Sequence, residues 1–204
     1  MTGQFFDEVY GVETAEETRA LYDKFSGSYD DEVAEQGYAT PARIATALSA
    51  QTRDHTLPVL DFGCGTGLAG LALTEAGFQT IDGLDLSREM LEGAAARDVY
   101  RALAQIDPNV DLRGTAENYA AVVACGVIGS GAAPLTTFDT IFYAMAPGAL
   151  FAFSFNDHTL EDPAFEERVD LAISDGEARL LSREYGPHLP GLDMGAIVYV
   201  IEKA

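Results

Sequence analysis

The sequence predicts an α/β fold: a doubly wound sheet of seven mostly parallel strands with an antiparallel last strand, fronted by an N-terminal helical lid. Three observations predict it. The run Val59-Leu60-Asp61-Phe62 ends a short apolar stretch in an acid and passes into Gly63-Cys64-Gly65-Thr66-Gly67, whose alternating glycines let a buried strand turn tightly into a helix. A second acid, Asp85 in Gly83-Leu84-Asp85-Leu86, falls where the next strand ends. Strand-like and helix-like stretches alternate as far as residue 174, and two last strand-like runs are joined too closely for a helical crossover, so they pair antiparallel.

In chain order, residues 1–15 read as loosely held. Ala20, Leu21 and Phe25 share one helical face and predict a helix over 16–25, and 26–30 reads as a turn. Thr40 as cap and Pro41 at the first helical position open a second helix through Leu48. Residues 1–56 thus read as a helical lid segment on a sheet core of 57–204, the whole forming a single domain. Strand one is expected over 58–62, and a helix over 67–76 stops at Gly77. Strand two spans 79–85, and Ser87 caps a helix over 88–97 with Glu89 in its first turn. Strand three lies within 100–106 and stops at Asp107-Pro108, because proline donates no ladder hydrogen bond. Strand four is 121–125, followed by a helix over 135–146, strand five over 150–155 and a helix over 163–174. The tail supplies strands over 178–185 and 196–201, completing a Rossmann-like sheet.

Composition narrows the partners. The chain has 204 residues and 48% hydrophobic content, enough for one domain's core. Its 33 acids against 12 Lys and Arg give a net charge of −21, which repels phosphate backbones and anionic membranes. Neither nucleic acid nor a membrane is expected as a partner, and the acidic surplus reads as solubility or adaptation to salt. No apolar run is long enough to span a bilayer, and the first residues lack the basic and apolar regions of a secretory signal, so a cytoplasmic location is expected. Cys64 and Cys125 make no disulfide framework, and with His55, His158 and His188 they show no metal-ligand spacing, so no metal is expected. Oligomeric state is not legible.

The glycine loop carries the ligand chemistry. Gly65-Thr66-Gly67-Leu68-Ala69-Gly70 matches the dinucleotide fingerprint, with Asp85 at a fitting distance. Against a dinucleotide stands Asp61, two residues before the first glycine, where it would repel a pyrophosphate. The spacing Gly63, Gly65, Gly67 is also offset from a pyrophosphate turn. An acid at that point suits a cofactor with an ammonium group and a cationic sulfur, which is S-adenosylmethionine. Asp85 would accept from its ribose hydroxyls. Leu86 or Met90 would pack on the adenine, and Asp107 would accept from the adenine amino group, with Asp111 as the alternative should the strand be displaced.

With these residues in place, a resemblance becomes visible. Leu60-Asp61-Phe62-Gly63-Cys64-Gly65-Thr66-Gly67 together with Gly83-Leu84-Asp85-Leu86-Ser87-Arg88-Glu89-Met90-Leu91 resembles the class I S-adenosylmethionine-dependent methyltransferases, and within them the Williams–Beuren-region methyltransferase-like group. The likeness covers roughly residues 18–156, taking in Tyr22-Asp23-Lys24-Phe25-Ser26-Gly27-Ser28-Tyr29-Asp30 and Gly37-Tyr38-Ala39-Thr40-Pro41 as a lid segment, the stretch from Tyr119 to Ile128, and Pro147-Gly148-Ala149-Leu150-Phe151-Ala152-Phe153. It implies S-adenosylmethionine binding through Asp61, Gly63, Cys64, Gly65, Gly67 and Asp85, with Tyr22 and Tyr29 near the methionine part. One departure is Ala120, where the family usually carries an acid after the tyrosine that opens strand four.

Ligands in open α/β sheets lie outside the carboxyl ends of the strands. That rule excludes His55, which precedes strand one, and favours His158 after strand five and His188 after strand six as candidate bases. Cys125 ends strand four near the expected point of transfer. The sequence therefore predicts methyl transfer to a small-molecule acceptor. A non-catalytic S-adenosylmethionine-binding regulator and an NAD(P)-binding oxidoreductase stand as alternatives.

Overall fold

The computed structural model describes residues 4–12 and 14–204. Part of the expected loose start, residues 1–3 and 13, lies outside the described residues. Over the rest that expectation is corrected: Gln4–Glu8 form helix α1, and Val9–Gly11 a short 3-10 helix. Five residues do not sustain a helix alone. Tertiary packing holds this one, since the buried Phe5 ring meets Tyr22, Phe25 and Tyr29 edge-on at centroid distances of 5.4, 5.7 and 5.2 Å.

Helix α2 (Ala15–Phe25) starts with a capping box between Thr14 and Glu17. The expected turn at 26–30 runs straight into a further helix, α3 (Tyr29–Glu35), with Asp30, Asp31 and Glu32 in its first turn, where carboxylates meet the positive end of the helix. Helix α4 (Thr40–Gln51) has Pro41 in its first turn, as expected. Thr40 does not cap it; its hydroxyl is 2.7 Å from His188 Nδ1 instead.

The sheet has the predicted character. Strands β1 (Val59–Phe62), β2 (Ile81–Asp85), β3 (Ala102–Gln105), β4 (Ala121–Ala124) and β5 (Leu150–Asn156) are parallel. β6 (Ala178–Leu189) and β7 (Met194–Lys203) form the closing hairpin, and the order across the sheet is β3-β2-β1-β4-β5-β7-β6. β7 is antiparallel to both of its neighbours. Helices α5 (Leu68–Glu75), α6 (Arg88–Ala96), α7 (Thr136–Ala144), α8 (Asp157–Leu160) and α9 (Ala164–Ser174) make the connections. Among the described residues, no helix is long and apolar enough to cross a membrane.

Alternation along the strands builds a core on each face. Val59, Ala121, Val123, Ala152 and Val198 pack with Ile44 and Leu48 of α4 and Leu73 of α5. Leu60, Val122, Phe151, Phe153 and Tyr199 turn the other way, onto Phe138 and Phe142 of α7 and Val169 of α9. Phe153 stacks on Tyr199 at 5.0 Å, which locks β5 to the inserted β7.

Helix α4 also fixes the far end of the hairpin. The Arg43 guanidinium donates to the carbonyl oxygens of Glu184 at 2.7 Å and of Pro187 and Ala196 at 3.0 Å. Those bonds hold β6 in strand conformation past its expected end at 185, across a register shift between Pro187 and Leu189, and so bring His188 under α4. Arg43→Met keeps the apolar stem and deletes the bonds. It should lower stability by about 2 kcal/mol, read as a lower urea midpoint with the slope unchanged. A midpoint equal to wild type would mean that the hairpin end is held by strand pairing alone.

Candidate functional site

The carboxyl ends of β1, β2 and β4 open onto a cavity of about 450 Å³. The loop from Gly63 to Gly67 forms one wall, and two of its glycines have distinct reasons. Gly63 has φ +68°, and a Cβ there would lie 2.5 Å from Val127 Cγ2, so only hydrogen fits. Gly65 has φ +54°, and a Cβ there would meet no atom within 4 Å, so bare backbone faces open space. Asp85 closes the next strand end: its Oδ2 accepts from Gly65 N and its Oδ1 from Ser87 N, both at 2.8 Å. Burial raises its pKa, and the bonds from Ser87 and Gly65 oppose the rise. Ser87 caps α6 as expected, accepting from Met90 N at 3.0 Å.

Asp61 is placed differently from the expectation. It does not line the cavity; it lies fully buried beneath the glycine loop, where Tyr100 donates to its Oδ2 at 2.7 Å. Its Oδ1 is buried without a hydrogen-bond partner. Burial pushes its pKa up to about 7, with the Tyr100 bond opposing and nearby Asp85 adding to the rise. Tyr100 was read only as the start of strand three. The signal that could have found it is Gly70, where a Cβ would lie 2.2 Å from the Tyr100 hydroxyl.

The rest of the lining follows the strand ends. Leu86, the fully buried Met90, Ile106 and Val110 make an apolar wall, with the exposed Asp107 at its rim. Asp111, the alternative to Asp107, is outside the lining and pairs with Arg113, which draws its pKa down to about 2. Opposite stand Cys64, Cys125, Tyr22, Tyr29 and a tyrosine not expected there, Tyr38, whose hydroxyl is 3.6 Å from Cys125 Sγ. Five residues, Tyr22, Tyr29, Tyr38, Gly126 and Ala132, line both this cavity and a smaller one of about 60 Å³ behind them.

Known proteins share this fold. The family model of the methyltransferase domain matches residues 29–183. The chain belongs to the methyltransferase-domain family. It is 30% identical over 148 residues to the human protein Methyltransferase-like protein 27, a match that covers 69% of this chain and 58% of that relative's length. A chain of the Haloferax volcanii complex between the Trm112 methyltransferase activator and a methyltransferase superposes with a TM-score of 0.65 at 18% identity, over 89% of this chain and 97% of that one. Magnesium protoporphyrin IX methyltransferase of Synechocystis, solved with bound SAH, gives 0.60 at 14% identity, over 98% and 93%.

The two histidines expected as bases in this methyltransferase both stand off the large cavity. His158 sits on α8, its Nδ1 3.6 Å from Glu161. His188 is buried beside the smaller cavity, edge-on to Tyr38, and burial draws its pKa down to about 4. His55 lies outside both cavities, bonded to Ser49 and packed on Phe78, consistent with its exclusion. Burial raises the pKa of Cys64 far above the thiol range and that of Cys125 to about 12, so neither is a thiolate nucleophile. Among the described residues, no cluster of His, Cys, Asp or Glu could hold a metal ion. Tyr119, which precedes Ala120, donates to Asp82 at 2.8 Å, away from the cavity.

A latch that the sequence did not reveal joins lid to loop. Asp30 in α3 accepts from Thr66 Oγ1 at 2.5 Å and pairs with Arg97, whose Nε donates to the Thr66 carbonyl at 2.6 Å.

The Asp61 environment gives a pH prediction. A carboxyl whose folded pKa is raised from 3.8 to about 7 holds its proton longer folded than unfolded, so its contribution to stability falls as pH rises across that window. Asp61→Asn removes this slope. The Tm difference, variant minus wild type, should therefore grow between pH 4 and pH 7 and level off above. A constant difference would mean that Asp61 ionises normally.

Proposed function

We propose that this chain transfers a methyl group from S-adenosylmethionine to a small-molecule acceptor, with the cofactor seated in the large cavity. The observation that carries the reading is the juxtaposition of bare backbone at Gly65 with the Asp85 carboxylate at the open ends of β1 and β2. Each Asp85 oxygen already accepts one backbone bond and retains a lone pair for a ribose hydroxyl. Leu86 and Met90 supply the apolar surface for adenine, and Asp107 at the rim an acceptor for its amino group. The backbone of Gly63, Cys64 and Gly65 lies along the sugar and amino-acid part, with Cys125, Tyr22 and Tyr29 on the methionine side; Gly67, expected there too, is outside the lining and packs against Arg97 and Tyr100. Asp61 acts from below, by holding the loop through Tyr100.

S-adenosylmethionine supplies a methyl group on a sulfonium, so what remains for the protein is alignment and exclusion of water. The aromatic lid and its Asp30 latch do both. Neither His158 nor His188 borders the large cavity, and the reading assigns no base to them. A small acceptor is favoured over a polyanion by the net charge of −21 and by a lining whose single cation is Arg19.

Calorimetric titration with S-adenosylhomocysteine tests the reading, with NADH and NADPH as controls. Wild type should bind S-adenosylhomocysteine alone. Asp85→Ala should weaken that binding at least tenfold, by loss of charge-assisted hydrogen bonds of about 1.5–3 kcal/mol, whereas His55→Ala should leave it intact. Binding of a nicotinamide cofactor, or full binding by Asp85→Ala, would overturn the assignment.

A further inference from the structure

The smaller cavity is a site in its own right. It opens behind Tyr22, Tyr29 and Tyr38, at the ends of β5 and β6, and among the described residues its lining contains no Asp, Glu, Lys or Arg. Two polar side chains face it with capacity to spare. His188 is 6% exposed and spends Nδ1 on Thr40 at 2.7 Å, while Nε2 has no partner among the described residues. Nor is Nε2 sealed in protein, since the sealed unpartnered side-chain atoms among the described residues are Asp23 Oδ1 and Asp61 Oδ1. Asn156 spends its Oδ1 on Thr159 N and Oγ1, at 3.0 and 2.8 Å, and its amide NH2 is unpartnered among the described residues. The buried His188 and the partly exposed Asn156 thus both bring unused hydrogen-bonding capacity to the lining of one small cavity, which marks a ligand position.

We propose that this cavity receives the acceptor, and that its occupant is an uncharged hydroxyl carried on a flat apolar body, gripped by His188 Nε2 and Asn156 Nδ2. The inference rests on the methyltransferase reading above, because the tyrosine wall shared with the large cavity makes the two chambers neighbours. A hydroxyl both donates and accepts, so it pairs with the Asn156 amide and with either tautomer of a neutral imidazole. His188 is neutral at physiological pH: burial draws its pKa down to about 4 and Arg43 lowers it further, against the pull of Asp157. A phosphate, a carboxylate or an ammonium would enter with no opposite charge among the described lining residues to offset its desolvation. At about 60 Å³ the space holds roughly two waters' volume, so it admits the reacting head and leaves the body against the aromatic rings.

The test is binding of phenol to the full chain saturated with S-adenosylhomocysteine, with benzoate and phenyl phosphate as charged counterparts. Imidazole NMR signals report on His188. Phenol should shift the His188 resonance and bind at least tenfold tighter than either anion. His188→Asn, which keeps a polar group for Thr40 but deletes Nε2, should weaken phenol about tenfold. Asn156→Asp, which keeps the acceptor for Thr159 but deletes the NH2 donors, should do the same. Both variants should bind S-adenosylhomocysteine as wild type does, which also shows that they fold. Equal or tighter binding of an anion, absence of phenol binding, or unchanged phenol affinity in both variants would overturn the inference while leaving the cofactor reading intact. Failure of wild type to bind S-adenosylhomocysteine would overturn both.

Discussion

The Tyr100 hydroxyl reaches the Asp61 carboxylate through space that glycine alone leaves. A Cβ on Gly70 would lie 2.2 Å from that hydroxyl, and one on Gly83 would come within 3.1 Å of Tyr100, Cys64 and Leu103. Asp61 and Gly83 are register partners on β1 and β2, so the contact sits where the two strands deliver their chain to the cavity. Without the tyrosine, a fully buried carboxyl would have neither oxygen bonded by a side chain, a cost of about 1–3 kcal/mol or more for a charged group. Directly above, Gly63 N and Cys64 N donate to the Leu84 carbonyl at 2.7 and 3.0 Å, which seats the loop on β2 with Gly65 N against Asp85.

Lid and loop are joined by a weaker kind of force. The Asp30 and Arg97 side chains are 45% and 20% exposed, so their pairing is partly screened, and exposed pairs are worth about 0.2–1 kcal/mol. The aromatic cluster around Phe5 adds apolar burial that does not depend on salt. The lid thus closes by packing and is kept in register by charge. A closure of that strength shields the cavity from water and still lets a ligand in.

The sequence displayed the elements whose signals are local. The apolar runs ending at Asp61 and Asp85, the Ser87 cap and the short hairpin connection each act within a few residues, and each appears in the structure, the connection shortened because β6 runs on to Leu189 and β7 starts at Met194. What stayed hidden depends on contacts across long separations. Helix α3 begins in a Ser-Gly-Ser stretch that reads as a turn, yet Asp30 is tied to Thr66, 36 residues away. Thr40 carries every local mark of a cap, and a buried histidine 148 residues away takes its hydroxyl instead. Tyr100 lies just before β3, and nothing in its neighbours announces that its hydroxyl reaches under the glycine loop to Asp61, 39 residues upstream. For the same reason the acids are legible as site residues while the tyrosine wall is legible only in part: family resemblance puts Tyr22, Tyr29 and Tyr38 in the lid, but gives a place near the ligand to Tyr22 and Tyr29 alone.

The same contact explains why a dinucleotide fingerprint appears in a chain that does not need one. In the fingerprint, the third glycine serves close packing of helix on strand, and the loop N–H groups face a pyrophosphate. Here Gly70, in the third position, admits Tyr100. The N–H of Gly65, in the first, is already committed to Asp85. With Asp61 beneath the loop, Asp85 beside it and Asp107 at the rim, the potential at the loop is negative, and the cation Arg19 belongs to the lid. A pyrophosphate brought there would meet acids where it needs donors. A ligand with an ammonium and a sulfonium against one carboxylate would meet the opposite sign, in a protein whose net charge of −21 already draws cations toward it. The spacing of the glycines is therefore shared between two cofactor classes, and the charge beneath them separates the two.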